Sequence, residues 1–180
     1  MESAYGDPRL LGDLAARGAE FARRLDVDVV VGAETAGVPL GTAMSLAGAI
    51  PFAFVRKPGY RGHEIGEPQV RGADVAGRRV LLVDDAVWSG AAVEAFVGQL
   101  VRNGAEVVGV FCLVDMRDIA TTISPVAAAL PIGSITSYLD VLATATDSGL
   151  ISAAIHDLVV DALMNPWIET DARWQLIGGQ

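Results

Sequence analysis

Two adjacent carboxylates directly follow an apolar run, and their type and position suggest the chemistry of this chain. In the stretch VLLVDDAVWSGAAV, residues 80–93, Asp84 and Asp85 precede a loop of small residues and a pattern that can open a helix. Paired acids can hold sugar hydroxyls or a hydrated Mg²⁺. The backbone amides of residues 87–91 and the Ser89 hydroxyl can receive a phosphate at the start of that helix.

The same acids restrict the class of ligand, because a carboxylate repels a phosphate placed beside it. Two unit charges about 4 Å apart cost roughly 4 kcal/mol at an effective dielectric of about 20. A ligand that carries hydroxyls as well as phosphates removes this conflict, so the stretch predicts a ribose phosphate rather than a simple phosphate. Trp88 is unexpected in such a loop, since its indole must either turn away from the ligand or fill the site.

Two further segments carry groups suited to anions. GAETAG, residues 32–37, combines two glycines with the Thr35 hydroxyl, and successive N–H groups that lead into a helix can bind an anion. RKPGYRGHEIGEPQVRG, residues 56–72, holds Lys57, the only lysine of the chain, with three arginines and one of the two histidines. An ordinary βα turn and a solvated basic loop are the alternative interpretations of these two segments.

Alternating helix and strand patterns must position these segments. Apolar residues at helical spacing predict helices over residues 7–25, 38–48, 89–103, 139–145 and 150–164. Short β-rich runs predict strands over residues 28–32, 52–56, 79–83, 106–114 and 132–138. Residues 58–77, rich in Gly, Pro and charge, predict a long loop with room for a short hairpin.

This alternation predicts an α/β fold, doubly wound around a mostly parallel five-stranded sheet. Ligands of such folds bind beyond the carboxyl ends of the strands. The loops after residues 32, 56 and 83 should therefore converge at one edge of the sheet.

Composition limits the other function classes. The chain has 180 residues, 52% hydrophobic and 19% charged, which predicts one folded domain over residues 1–180 rather than disorder. A net charge of −9 argues against nucleic acid as a partner, and the single Cys112 excludes a disulfide framework. Residues 36–55 carry no charge, but Pro39 and Pro51 interrupt them, so we expect a buried helix, a turn and a strand rather than a membrane span. Without a signal-peptide pattern, we expect a cytoplasmic location.

Several segments resemble one family. VLLVDDAVWSGAAV resembles the ribose-phosphate-binding signature of the type I phosphoribosyltransferases. VVVGAETAGVPLGTAMSLAGAIPFAFVRK and GAEVVGVFCLVD are similar to the orotate phosphoribosyltransferase branch, and SAYGDPRLL resembles the early Ser-x-Tyr-x-Asp segment of that branch. VRKPG is also similar to adenine phosphoribosyltransferases. The resemblance covers roughly residues 3–145.

The resemblance implies a fold and an activity. It implies the type I phosphoribosyltransferase fold with a small hood from the chain termini, a mobile active-site loop over residues 58–72, and a C-terminal helix and tail over residues 146–180. It implies Mg²⁺-dependent transfer of the phosphoribosyl group from phosphoribosyl pyrophosphate (PRPP) to a small acceptor, with release of pyrophosphate. The activity it implies is that of an orotate phosphoribosyltransferase, an enzyme of pyrimidine nucleotide synthesis. It also implies a homodimer, in which the family usually takes the mobile loop from the neighbouring subunit.

The resemblance also implies roles for individual residues. Asp84 and Asp85 would hold the ribose hydroxyls, and Mg²⁺ through those hydroxyls or water. The pyrophosphate would meet the amides of Thr35, Ala36 and Gly37 and the charges of Arg56 and Lys57. The 5-phosphate would lie in a loop formed by Ala86, Val87, Trp88, Ser89, Gly90, Ala91 and Ala92. The catalytic set would be Asp85, Lys57, Arg61 and His63.

Two departures from the family pattern keep other functions open. Arg61-Gly62-His63 stands where the family commonly has Lys-x-His, and the phosphate loop replaces several hydroxyl residues with Trp88, Ala91 and Ala92. The alternatives are a phosphoribosyltransferase for a non-pyrimidine or secondary-metabolite acceptor, and a non-catalytic regulator that binds PRPP or a nucleotide.

Overall fold

The computed structural model of the protein describes residues 2–57, 69–120 and 122–164. The strands are β1 (Val29–Ala33), β2 (Phe52–Val55), β3 (Val70–Gly72), β4 (Arg79–Val83), β5 (Ala86–Val87), β6 (Glu106–Asp115) and β7 (Ile132–Ser137). The helices are α1 (Glu2–Gly6), α2 (Pro8–Arg24), α3 (Gly37–Gly48), α4 (Ala91–Arg102), α5 (Pro125–Ala129), α6 (Tyr138–Asp147) and α7 (Ala153–Met164), with a 3-10 turn at Arg117–Ile119.

The strands form one sheet, and most of its pairings are parallel. Its main order is β3-β2-β1-β4-β6, and both β5 and β7 also pair with β6. β3 pairs with β2 in the antiparallel direction, whereas the other pairings are parallel. The predicted doubly wound α/β fold is therefore confirmed.

Helices cover both faces of this sheet, which explains the long uncharged runs of the sequence. One buried cluster joins alternate residues of β1 and β4 to α4, and the other joins the opposite residues of these strands to α2 and α3. All five residues of β1 are buried. The uncharged segment 36–55 forms α3, a turn and β2, as predicted. Within the described ranges, no helix combines the length and apolarity that a bilayer crossing requires.

Local signals determine where the first long helix begins. The carboxylate of Asp7 accepts hydrogen bonds from the backbone N–H groups of Arg9 at 2.9 Å and Leu10 at 3.3 Å, which caps α2. Pro8 occupies the first turn, where its missing N–H costs nothing. The buried side of α2 carries small residues that let α3 pack closely against it.

The structure corrects some predicted boundaries. The sheet has seven strands among the described residues rather than five, because β3 and β5 are too short to show a periodic pattern. Residues 70–72 of the predicted mobile loop form β3, since they extend the open edge of β2. Residues 58–68 lie outside the described ranges. The short helix α5 is also additional to the sequence-based assignment.

Candidate active site

The carboxyl ends of the central strands meet at one edge of the sheet. Ala33, the last residue of β1, pairs with Val55, the last residue of β2. Val83, the last residue of β4, pairs with Gly32. Because these strands are parallel and end within one residue of each other, the segments that begin at residues 34, 56 and 84 leave the sheet side by side. The predicted convergence of the three loops is confirmed for their described residues.

The first loop, residues 34–36, is tied to the chain that follows β2. The Glu34 amide donates to the Val55 carbonyl at 2.9 Å, and the Glu34 carboxylate accepts from the Lys57 amide at 3.2 Å. The Glu34–Thr35 peptide bond is cis. Glu34 therefore links the first loop to the second through both its backbone and its side chain.

Gly37 brings the first turn of α3 against the end of β4. A side chain at Gly37 would overlap the carbonyl oxygen of Val83, and its Cβ would lie 2.9 Å from the Cα of Asp84. Only glycine permits this approach. As a result, the backbone at the start of α3 lies directly beside the first of the paired acids.

Tyr5 adds a group that its local sequence gave no physical reason to select. Its hydroxyl donates a 2.8 Å hydrogen bond to the carbonyl of Ala36, which lies 31 residues later in the chain. This bond attaches the first loop to α1. Burial, with the charges of Asp85 and Asp84, raises the pKa of Tyr5 to about 12. The phenol therefore remains a neutral hydrogen-bond donor near both acids.

The paired acids are held by the backbone of β6. The Asp84 amide donates to the Phe111 carbonyl at 3.0 Å, and the Asp85 carbonyl accepts from the amides of Leu113 and Val114. Each carboxylate also turns back on the chain: Asp84 Oδ1 accepts from the Asp85 amide at 2.9 Å, and Asp85 Oδ1 accepts from the amide of the next residue at 2.8 Å. The carboxylates thus lie together at the end of β4.

The proximity of these acids has an electrostatic cost. Burial, together with the charge of Asp85, raises the pKa of Asp84 to about 7, although the hydrogen bond from the Asp85 amide acts in the lowering direction. Two neighbouring carboxylates in a partly buried site resist full ionisation. A ligand that donates hydroxyl hydrogens, or a cation, would relieve this repulsion.

The loop after the acids turns sharply into α4. Gly90 has a φ of 78° and caps α4, and a side chain there would overlap the Cβ of Ala127 in α5. The N-cap residue Gly90 offers no side chain, and the Ser89 hydroxyl accepts a long hydrogen bond of 3.4 Å from the Ala91 amide. The first turn of α4 therefore presents backbone N–H groups at the same edge as the acids.

The predicted phosphate loop contains both a buried residue and exposed residues. Val87 is 1% exposed and belongs to the core, and its backbone is bonded to the Met116 amide and to the buried Cys112 thiol. The side chain of Trp88 is 57% exposed, so its ring is not part of the core. Ala91 and Ala92 are exposed on the first turn of α4.

An ion pair lies at the end of β6, next to this loop. The carboxylate of Asp115 accepts from Arg117 Nη2 at 2.7 Å and from Nε at 3.0 and 3.2 Å. Arg117 Nη1 also donates to the Ala127 carbonyl at 3.3 Å. Burial alone would raise the Asp115 pKa, but the hydrogen bonds and charge of Arg117 lower it overall, so the carboxylate stays ionised. Opposite charges two residues apart after a strand are the signal in the sequence that could have predicted this pair.

The basic residues of the second loop are described only in part. Arg56 and the exposed Lys57 directly follow β2, and the Arg56 amide donates to the Gln69 carbonyl at 2.9 Å. The chain therefore leaves and rejoins the sheet at this point. Arg61 and His63 lie outside the described residues, so their predicted catalytic roles stay predictions.

The donor set at this edge fits a shared Mg²⁺ better than a protein-only metal centre. Among residues 2–57, 69–120 and 122–164, no group of three or more His, Cys, Asp or Glu is placed to hold a metal ion. Asp84 and Asp85 offer two carboxylates. Mg²⁺ is commonly held by one or two carboxylates together with water and phosphate oxygens.

Comparisons with known proteins identify the family of this chain. The family model described as a phosphoribosyl transferase domain matches residues 8–127, which include all three loops. The chain is 32% identical over 120 residues to the hypoxanthine/guanine phosphoribosyltransferase of Methanococcus maripaludis, covering 61% of this chain and 64% of that one. It is 34% identical over 118 residues to the orotate phosphoribosyltransferase of Methanospirillum hungatei, covering 66% of each.

Solved structures give the same fold. The orotate phosphoribosyltransferase of Mycobacterium tuberculosis in complex with PRPP matches with a TM-score of 0.62 at 27% identity, covering 76% of this chain and 78% of that one. The UMP synthase of Leishmania donovani matches with a TM-score of 0.71 at 20% identity, covering 91% of this chain and 35% of that one. The chain spans less than two thirds of the length of the first curated relatives it matches.

Proposed function

Because the chain belongs to the phosphoribosyltransferase family, we propose that it binds PRPP with Mg²⁺ and transfers the phosphoribosyl group to a nitrogen base, with release of pyrophosphate. The observation that carries this proposal is the Asp84–Asp85 pair at the end of β4, followed after a short loop by a helix start whose N-cap residue is a glycine. Acids followed by N–H groups match a ligand whose hydroxyls precede its phosphate.

The ribose would bind through its 2- and 3-hydroxyls, which donate hydrogen bonds to the two carboxylates. Asp84 has a raised pKa because its charge is poorly solvated beside Asp85. Hydroxyl donors compensate for that lost solvation, so the free site favours such a ligand. The backbone amides of residues 88–92 would hold the 5-phosphate, since the amides of Ala86 and Val87 already donate within the protein and the side chains of this loop offer one hydroxyl, on Ser89.

The pyrophosphate would lie over the first loop. Gly37, where the first loop enters α3, lies against Val83 and Asp84, and Arg56 and Lys57 add positive charge after the end of β2. As the bond at C1 breaks, negative charge grows on the leaving group, and donors fixed in advance stabilise that charge. Bound Mg²⁺ would supply further charge stabilisation at the same oxygens. Arg61 and His63 would complete the set when the loop of residues 58–72 closes.

Orotate is the acceptor we propose to test first. The supporting facts are the 34% identity to an orotate phosphoribosyltransferase and the similarity to solved orotate enzymes. Hypoxanthine and guanine are the next candidates, since a relative that acts on them is 32% identical. A homodimer, with the loop supplied by the neighbouring subunit, and a cytoplasmic location remain predictions from the resemblance and from the sequence.

The test has two parts. Calorimetry with PRPP and Mg²⁺ should show binding, and a coupled assay should show pyrophosphate release with orotate, hypoxanthine, guanine or adenine. Asp85→Asn should weaken PRPP binding roughly ten- to hundredfold, because a hydrogen bond to a charged group contributes about 1.5–3 kcal/mol. Asp13→Asn, on the exposed face of α2, removes the same charge away from the site and should leave binding unchanged.

The outcomes separate enzyme from regulator. PRPP binding without pyrophosphate release from any acceptor would favour the regulator, which the scarcity of hydroxyls in the phosphate loop already suggests. Absence of PRPP binding would refute both.

A further inference from the structure

The side chain of Trp88 is displayed at the candidate site in a way that its neighbours are not. Val87 is 1% exposed and Gly90 is buried, whereas Trp88 between them is 57% exposed. An exposed indole is costly in a free protein, because it keeps a large apolar surface in water. Its location beside a ligand site gives it a natural partner.

The backbone that carries Trp88 is fixed on both sides. The carbonyl of Val87 accepts from the Met116 amide at 2.7 Å, and the carbonyl of Ser89 accepts from the Ser124 amide at 2.7 Å. Both bonds attach the loop to the segment that follows β6. A tryptophan has only two side-chain torsions, so an indole on a fixed backbone loses little freedom when a ligand stacks on it.

The position of Trp88 also determines which part of the ligand it can reach. It lies between the acids that would hold the ribose hydroxyls and the helix start that would hold the 5-phosphate. Val87 pairs with Asp115, so Trp88 follows directly at the carboxyl end of β6. In the proposed binding mode, this region would adjoin the ribose, to which the acceptor base becomes attached.

The pairing of Arg117, the cation that follows β6, favours stacking as the way this region recognises an acceptor. The Arg117 guanidinium is occupied by Asp115 and by the Ala127 carbonyl, so its charge is neutralised within the protein. The Arg117 guanidinium is therefore not available to bind an acceptor by charge. The faces of flat heteroaromatic rings stack on tryptophan regardless of their edge substituents.

We propose, resting on the proposed function, that the indole of Trp88 is the platform on which the face of the acceptor base stacks. The backbone amide of Trp88 keeps its role toward the 5-phosphate. The two roles belong to different atoms and can be separated by substitution of the side chain.

The experiment compares two ligands that differ by the base alone. Calorimetry would give the dissociation constants of ribose 5-phosphate and of the matching nucleotides, orotidine 5′-monophosphate and inosine 5′-monophosphate, for wild type, Trp88→Phe and Trp88→Ala. The ratio of the constants isolates what the base contributes. The ratio in question is the dissociation constant of ribose 5-phosphate divided by that of the nucleotide. We expect that Trp88→Ala lowers this ratio roughly tenfold or more for at least one nucleotide and that Trp88→Phe largely keeps it. Ribose 5-phosphate should bind all three proteins alike.

Each other outcome overturns the inference. An unchanged ratio in Trp88→Ala would show that the indole does not contact the base. Loss of ribose 5-phosphate binding in Trp88→Ala alone would show that the indole instead shapes the phosphate site. Failure of wild type to bind ribose 5-phosphate would refute the proposed function itself, and with it this inference. Retained ribose 5-phosphate binding also demonstrates that a variant is folded.

Discussion

Asp84→Asn should make the ligand-free protein more stable at neutral and alkaline pH, although it removes a residue that we assign to ribose binding. Burial and the neighbouring Asp85 raise the pKa of Asp84 from 3.8 to about 7. The ionised form of this carboxylate is therefore less favourable in the folded protein than in the unfolded chain. An asparagine keeps the Oδ1 acceptor for the Asp85 amide and carries no charge.

The magnitude follows from the difference between the two pKa values. At about 1.4 kcal/mol per pH unit, the interval from 3.8 to about 7 sets a ceiling of about 4 kcal/mol at pH 8. Solvent access and proton sharing with Asp85 reduce this, so we expect a gain of about 2 kcal/mol. For a chain of this size, that corresponds to a rise in Tm of roughly 4–8 °C.

The effect of Asp84→Asn on the free energy of unfolding should change with pH in one direction only. In wild type, Asp84 binds a proton more tightly when the protein is folded, so its contribution to stability decreases as pH rises from about 4 to about 7, and is constant above that. Below pH 4 the group is neutral in both states and the substitution should have little effect. The advantage of Asp84→Asn must therefore grow across this interval.

Urea unfolding at pH 4, 6 and 8, in EDTA and without PRPP, measures the effect. Asp13→Asn, an exposed substitution on α2 that removes the same charge, is the control for a general change in net charge. A gain of equal size at pH 4 and pH 8, or no gain at pH 8, would refute the electrostatic reasoning. A gain in both variants would attribute it to net charge rather than to the site.

Three further substitutions test the packing and the ion pair around the site. Gly37→Ala should destabilise the protein by about 1–3 kcal/mol in urea unfolding, because its Cβ would overlap the Val83 carbonyl oxygen. Gly12→Ala, in the same assay, should instead stabilise by up to about 1 kcal/mol, since that α2 glycine has open space around its Cβ; equal effects of the two would contradict the contact argument. Arg117→Ala should cost about 1 kcal/mol at pH 7, a modest value because the pair is partly exposed, and the cost should shrink as pH falls and Asp115 becomes protonated; a cost that is independent of pH would exclude the ion pair as its cause.

Much of the fold could be predicted because its signals are local. Each of the five predicted helices and five predicted strands overlaps an element of the structure. The strands that escaped prediction have few residues of their own: β5 has two residues and β3 has three, and each forms by pairing with a longer strand. Such strands exist because a partner is present, which no local pattern reveals.

The sequence by itself determined the alternation of elements, the paired acids at a strand end, and the small-residue loop that enters a helix, because these depend on residues close together in the chain. The tertiary structure decided the rest. The contact of Tyr5 with Ala36 spans 31 residues, and the hydrogen bond from Arg117 to the Ala127 carbonyl depends on how α5 returns to the sheet. Whether Trp88 points into the core or away from it depends on the two backbone bonds that attach its neighbours to the segment after β6. Packing across the sheet therefore left this indole exposed, which its position in the sequence could not reveal.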